Sequence, residues 1–228
     1  MNRRFAAVAA LIIVVALFAA LLENYFKNPT VPTFASEYSK DIYLTFDDGP
    51  SDKVTPKILD VLKEENVKAT FFIVGSQAEK RRDIVKRIFD EGHSVGVHSY
   101  SHKYDEVYSS PKKLIEDLKK CNDVICRITG EYANIYRFPG GSFNVKKEFT
   151  DSVKKEGYKF VDWNASFRDC ELKDATSENL YSAAVSTAAD KSRIVMLAHD
   201  TSDKLATVGA LKKVIRYFKS RGYNFRKF

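Results

Sequence analysis

The chain has 228 residues, 44% of them hydrophobic and 13% aromatic, enough for one sizeable core and one or two domains. Its net charge of +7 suits work beside anionic lipids or wall polymers, whereas scattered rather than clustered Lys and Arg argue against nucleic acid. Three cysteines, Cys121, Cys126 and Cys170, are too few and too odd in number for a disulfide framework, and Cys121 and Cys126 are read as packing residues on a helix.

The first element in chain order is the uncharged run FAAVAALIIVVALFAALL at 5–22, long enough to cross a bilayer. Arg3 and Arg4 precede it and favour a cytoplasmic N-terminus. A cleaved signal peptide begins the same way, but this run is longer than a signal core and no A-x-A site closes it. One retained N-terminal transmembrane helix, 1–22, is therefore expected, with secretion as the outcome if it is cleaved. Either way the remainder lies outside the cytoplasm. Residues 23–40 carry two prolines and no apolar period. They form a linker whose extended reach is at most about 60 Å.

From Asp41 onward, short β-branched or aromatic runs alternate with helical spacing. Strands are expected at 42–46, 69–74, 94–98, 135–138, 159–163, 194–198 and 223–227. Helical faces are marked by Val54, Ile58, Val61 and Leu62; by Ile84, Val85, Ile88 and Phe89; by Leu114, Ile115, Leu118, Cys121 and Ile125; and by Leu211, Val214, Ile215 and Phe218. The alternation predicts an α/β fold of about seven parallel strands in one domain, 41–228. A closed or nearly closed (β/α) barrel is the first choice and an open doubly wound sheet the second. In both, function collects at the C-terminal strand ends.

The polar residues follow that rule. Asp47 and Asp48 follow the first strand in TFDDGP, and His98 ends the third with His102 four residues on. Arg137 lies in the fourth, Asp169 follows the fifth, and His199 follows the sixth. Alone, a DDG is usually a turn and an H-x-x-x-H pair is usually filler. Together they offer one carboxylate and two imidazoles to a divalent metal, leaving a second carboxylate and a third histidine for acid–base work. A cation would make the adjacent carboxylates tolerable, one binding it and the other facing a water activated by it. The decoy GHSVG at 92–96 has the G-x-S-x-G form of a nucleophile elbow, but a helix ends at Gly92 and a strand follows, the reverse of the required context.

Across 41–228 the chain resembles the polysaccharide deacetylases of NodB-homology type, carbohydrate esterase family 4. TFDDGP at 45–50, HSYSH at 98–102, RFPGGS at 137–142 and IVMLAHD at 194–200 carry the resemblance in family order. The resemblance implies a distorted (β/α) barrel and metal-dependent removal of acetyl groups from glycans. It implies Asp47 as general base, Asp48, His98 and His102 as ligands of zinc or another divalent metal such as cobalt, and His199 as the acid for the departing amine. Arg137 would hold Asp47, Asp169 would orient His199, the Gly140 N–H would meet the oxyanion, and Leu197 would line the methyl pocket. Two positions depart from the family pattern. Cys170 follows Asp169 where tryptophan is usual, and Gly140 follows Pro139 where an aromatic is usual; Trp163 could supply an aromatic surface instead.

The expectation is a membrane-anchored, monomeric enzyme acting on cell-wall glycan, with peptidoglycan N-acetyl sugars as the first choice. Chitin-like or acetylated xylan substrates, and an inactive glycan-binding barrel, are the alternatives.

Overall fold

The computed structural model describes residues 15–20, 22–23 and 39–228. The chain divides into two units, Met1–Glu37 and Tyr38–Phe228. In the first, residues 15–20 and 22–23 are helical, and Val15, Leu17 and Phe18 are exposed. Most of the expected membrane helix at 1–22 and of the linker at 23–40 lies outside the described residues. No described helix is long and apolar enough to cross a membrane.

The second unit carries eight strands, β1 (Asp41–Asp47), β2 (Thr70–Val74), β3 (Ser94–Ser99), β4 (Ile135–Tyr136), β5 (Lys159–Phe160), β6 (Ala165–Ser166), β7 (Arg193–His199) and β8 (Asn224–Arg226). They lie parallel in the order β5-β4-β3-β2-β1-β7-β6. β1 pairs with β7 along its whole length, Asp41 opposite Arg193 through Asp47 opposite His199. Its other edge is shared by β8 at Asp41–Tyr43 and by β2 at Thr45–Asp47. The ends of the order, β5 and β6, are joined by 161–164. The Val161 N–H donates to Tyr136 and the Asn164 N–H to Val195, at 2.9 and 3.1 Å. A stretch of chain, rather than a strand ladder, thus crosses the gap in the barrel.

Seven strands fall where the alternation predicts them, with β4 and β5 shorter than expected. The two-residue β6 has too little sequence to show a period. The four predicted helices are α1 (Thr55–Glu64), α3 (Arg82–Asp90), α5 (Pro111–Thr129) and α8 (Leu205–Ser220). Helices α2 (Gly75–Lys80), α4 (Tyr104–Val107), α6 (Lys147–Lys155) and α7 (Ser177–Thr187) were not marked by the apolar pattern. Boundary chemistry accounts for their placement better. Thr176 and Asn179 form a capping box at α7, just as Ser110 accepts from the Lys113 N–H at the start of α5.

Alternation within β1 and β2 sends Phe46 and Phe71 outward to the helices, their rings stacked 5.1 Å apart in the core. Thr45 and Phe72 face the barrel interior with Arg137: the Thr45 hydroxyl bonds its guanidinium, and the Phe72 ring lies 4.2 Å beneath it. Gly96 makes room for that ring, since a Cβ there would stand 2.7 Å from Phe72 Cδ1. Cys121 is buried and donates to the Ile73 carbonyl at 3.2 Å, consistent with a packing role. Ser94 of the decoy motif starts β3 and donates to the carbonyl of Phe228, at the opposite end of the strand from His98.

Phe46 is 1% exposed and its partner Phe71 is fully buried. Phe46→Ala is expected to lower unfolding stability by about 3–5 kcal/mol, the usual cost of a phenyl-sized core cavity, read as a drop in the urea midpoint with an unchanged slope.

Candidate active site

The strand β1 ends on a loop pinned from three directions. The Gly49 carbonyl accepts from Val74 at 2.9 Å, the Asp47 carbonyl accepts from Asp200 at 3.2 Å, and Ser51 Oγ donates to the Asp200 carbonyl at 2.6 Å. Asp48 adopts a left-handed conformation, φ 73°, which Asp tolerates better than most residues. Gly49 is required by contact: a Cβ would stand 2.1 Å from Asp200 Oδ2. Asp200 is 1% exposed, and Thr55 Oγ1 donates to its Oδ2 at 2.6 Å. Burial first, and then the Asp48 and Asp47 charges, push its pKa up to about 7 despite the Thr55 bond.

His98 is set by an irregularity in β3. Ile73 pairs with Val97, but the next residue of β2, Val74, pairs with Ser99. His98 is the extra residue, and such a bulge re-aims a side chain. The turn to His102 is held by Asp117 of α5, which accepts from Ser99 Oγ at 2.6 Å and from the Tyr100 and Ser101 N–H groups at 2.7 and 3.0 Å. Ser99 Oγ accepts in turn from the His102 N–H at 2.8 Å.

These constraints bring His98 Nε2 and His102 Nε2 to 3.2 and 3.0 Å from Asp48 Oδ1. His98 Nδ1 lies 2.8 Å from the Arg137 carbonyl. A carbonyl only accepts, so Nδ1 carries the proton and neutral His98 turns its Nε2 lone pair toward the carboxylate. Asp48 Oδ1 is buried and has no well-formed hydrogen bond. Burial disfavours its charge most strongly, yet His102 and His98, when they carry a proton toward it, outweigh burial and hold Asp48 well below the ordinary carboxylate range. For His98 burial again opposes charge, and Asp48, Asp47 and the Arg137 carbonyl raise its pKa. A cluster of lone pairs that draws positive charge inward has the donor set of a divalent cation site, and the residues fit one.

Asp47 is held on the other side. Its Oδ1 accepts from Arg137 Nη1 at 2.9 Å, and the two side chains are 4% and 0% exposed. Arg137 also donates to Thr45 Oγ1 at 2.7 Å and to the Val161 carbonyl at 2.9 Å. Opposite Asp47 in register, His199 Nδ1 lies 2.8 Å from Asp169 Oδ1. Asp169 Oδ2 accepts from the His199 N–H at 2.8 Å and from Thr207 Oγ1 at 2.9 Å. Burial pulls the His199 pKa down, but the Asp169 bond, the Cys170 contact and the Asp169 and Asp47 charges raise it to about 11.

Asp47, Asp48, His98, His102, Gly140, Leu197, Asp169 and His199 line one hollow of about 210 Å³, with Tyr104, Trp163 and Cys170. Arg137 sits behind Asp47. Size alone does not single the hollow out, because one of about 540 Å³ beside Lys40 and Tyr223 lacks any convergent acid–base set. Gly140 has φ 77°, and its N–H donates to no other group among the described residues. A Cβ at Gly140 would stand 3.2–3.7 Å from the Tyr104 ring and hydroxyl, so Tyr104 fills the space an aromatic side chain at 140 would enter. Trp163 packs edge-on against Phe143 at 5.5 Å, and Phe143 is 65% exposed.

Sequence reading missed Asp117, Asp200, Tyr104 and Asp162, whose Oδ1 accepts from the Ser142 N–H at 2.9 Å behind the two glycines. Asp117, Tyr104 and Asp162 follow no strand end with a second chemical group at a ligand spacing, and Asp200, which directly follows His199 at the end of β7, was passed over as its neighbour. Asp117 could have been suspected as a lone acid on the inner face of α5.

The fold and the site together define a (β/α)-barrel hydrolase with a candidate cation triad beside an independent carboxylate and a carboxylate–imidazole pair. Residues 35–161 match the profile of the polysaccharide deacetylase family. The chain belongs to that family, the hydrolases of carbohydrate esterase family 4. It is 34% identical over 195 residues to a putative polysaccharide deacetylase of Bacillus subtilis, covering 82% of this chain and 66% of that protein. It is 32% identical over 207 residues to a peptidoglycan N-acetylglucosamine deacetylase of Bacillus cereus, covering 88% and 74%. The catalytic domain of the Eubacterium rectale peptidoglycan N-acetylglucosamine deacetylase superposes with a TM-score of 0.76 at 36% identity, covering 83% and 88%.

Arg137→Met keeps much of the volume but leaves Asp47 as an uncompensated buried charge. The loss is expected to be about 3–5 kcal/mol, read by urea unfolding. The double variant Asp47→Asn/Arg137→Met is expected to recover a large part of it, a coupling that two independent packing losses would not show.

Proposed function

We propose that the protein removes N-acetyl groups from the amino sugars of peptidoglycan, and that Asp48, His98 and His102 hold a divalent cation, zinc in the first instance, during that reaction. The observation that carries this reading is the convergence, at one barrel rim, of the Asp48–His98–His102 cluster with Asp47 on one side and the Asp169–His199 pair on the other. A cation held there supplies an acidified water and a polarised amide carbonyl.

The remaining tasks fall to the chain. Asp47, fixed by Arg137, accepts the proton of the attacking water. The Gly140 N–H donates to the oxygen that gains charge as the carbonyl carbon becomes tetrahedral. His199 spends its Nδ1 proton on Asp169, so Nε2 is the atom that delivers a proton to the leaving nitrogen. That proton turns a poor amide-ion leaving group into a neutral amine. Leu197, 6% exposed and paired with Thr45 in register, gives the acetyl methyl an apolar wall. The wall-glycan assignment draws on the net charge and on the apolar run at 5–22, which we assign as an anchor holding a monomeric, extracytoplasmic domain near the membrane.

The test is acetate release from purified peptidoglycan and from N-acetylglucosamine oligomers, before and after chelation and again with zinc or cobalt restored. Metal-dependent release is expected, greatest on peptidoglycan. A folded, metal-loaded protein that releases none would be a glycan-binding barrel instead. Asp47→Asn is expected to lower the rate by about 10²- to 10⁴-fold, the usual share of a general base, while leaving the bound metal, measured by elemental analysis, in place.

The acid must be protonated, so activity is lost as pH rises through the pKa of His199. Asp169 is the main group raising that value. Asp169→Asn is therefore expected to move the alkaline limb of kcat to lower pH. A limb that stays in place would remove His199 from the acid's role.

A further inference from the structure

The rim holds a second group with ligand spacing. One donor atom each from Asp169, Cys170 and His199 lies within 4.8 Å of the other two. Cys170 Sγ and Asp169 Oδ1 stand 3.2 and 2.8 Å from the same atom, His199 Nδ1. That nitrogen has one proton to give, and Asp169 takes it, so the thiol is aimed at a nitrogen already committed. Zinc bonds of about 2.0–2.3 Å place tetrahedral ligands about 3.3–3.7 Å apart. The sulfur separation is short of that by a few tenths of an ångström and the carboxylate separation by about half an ångström or more, against 3.0 and 3.2 Å in the Asp48 triad.

Burial is graded in the way an accessible site needs. Asp169 is buried, His199 is intermediate and Cys170 is exposed, so the base is rigid and the sulfur can shift. Among the described residues, the one ammonium bonded to this corner is Lys204, which donates to the Asp169 carbonyl at 3.1 Å. Two anionic donors still outweigh it. Neither other cysteine serves here: Cys121 is buried beneath β2, and both lie on α5.

We infer that Asp169, Cys170 and His199 form a second, inhibitory site for a thiophilic divalent cation such as zinc or cadmium, separate from the Asp48 triad. On binding, the Cys170 thiol and His199 Nδ1 each release a proton to solvent and bond the cation in its place, with no change of oxidation state. The Asp169–His199 hydrogen bond is lost. His199 is then no longer the acid that Asp169 orients. The inhibition rests on the deacetylase reading, whereas the occupancy does not.

The experiment titrates the full chain with cobalt(II) and with cadmium(II), without substrate, following bound ions by equilibrium dialysis and thiolate-to-metal charge transfer in the near ultraviolet. The Asp48 triad contains no sulfur, so the absorption band reports the second site alone. Two bound ions and a band are expected for the wild type and for C126S. C170S should bind one ion and show no band, and Asp48→Asn should keep the band while losing the other ion. One ion in the wild type, or a band that survives C170S, overturns the site. Excess zinc should then depress acetate release by the wild type and spare C170S, while equal inhibition of both overturns the inhibitory role.

Discussion

The buried pair between Arg137 and Asp47 is the constraint around which the rest of the site is arranged. A fully buried guanidinium is costly to desolvate, and one carboxylate seldom repays that cost. Here the remaining N–H groups reach Thr45 and the Val161 carbonyl, while the face lies over Phe72. Arginine can serve these partners together because its donors form a planar fork; a lysine ammonium could not. The same residue's carbonyl takes the His98 Nδ1 proton. Side chain and backbone of one residue thereby orient the proposed base and one ligand of the proposed cation.

The two imidazole–carboxylate contacts at the rim use the same groups to opposite ends. At His98 the proton on Nδ1 is spent on a neutral carbonyl, and Nε2 meets Asp48 as a bare lone pair. At His199 the proton on Nδ1 is spent on the carboxylate itself, so the charge of Asp169 stabilises an imidazolium. The first arrangement asks for a cation from outside, and the second makes its own by taking up a proton. Which nitrogen faces the carboxylate distinguishes the proposed ligand from the proposed acid, and the backbone sets that choice: a bulge at His98, and a ladder register at His199.

Much of this was legible because groups that carry chemistry in a parallel α/β fold fall at C-terminal strand ends. Asp47, Asp48, His98 and His199 each end or immediately follow a strand predicted from its apolar run. The supporting residues were not legible in the same way. Asp117, Asp162 and Asp200 act by accepting from backbone or hydroxyl donors whose positions are known only once the chain is folded, and an acid on a helix or loop has many solvated uses. The unpredicted helices have the same explanation: α6 is mostly charged, so its buried Phe149 and Val153 are too sparse to set a period. Tyr104 was hidden for another reason. Its relation to Gly140 spans a turn and two elements, so a glycine where the family has an aromatic looked like a loss.

That relation changes how the two departures should be weighed. An aromatic ring at the rim can be supplied by any element that reaches it, whereas an N–H free to meet the proposed oxyanion requires a particular backbone. Gly140 keeps the backbone, at φ 77°, and Tyr104 from α4 brings the ring. The Asp169 carboxylate likewise keeps its three hydrogen bonds whatever residue follows it, because Thr207, the His199 N–H and His199 Nδ1 make them. Cys170 therefore stands where substitution leaves those three bonds of Asp169 in place and alters only the further contact of its Sγ with His199 Nδ1. Chemistry that needs fixed atoms is held by the barrel, and the chemistry that selects partners is left to the side chains around its mouth.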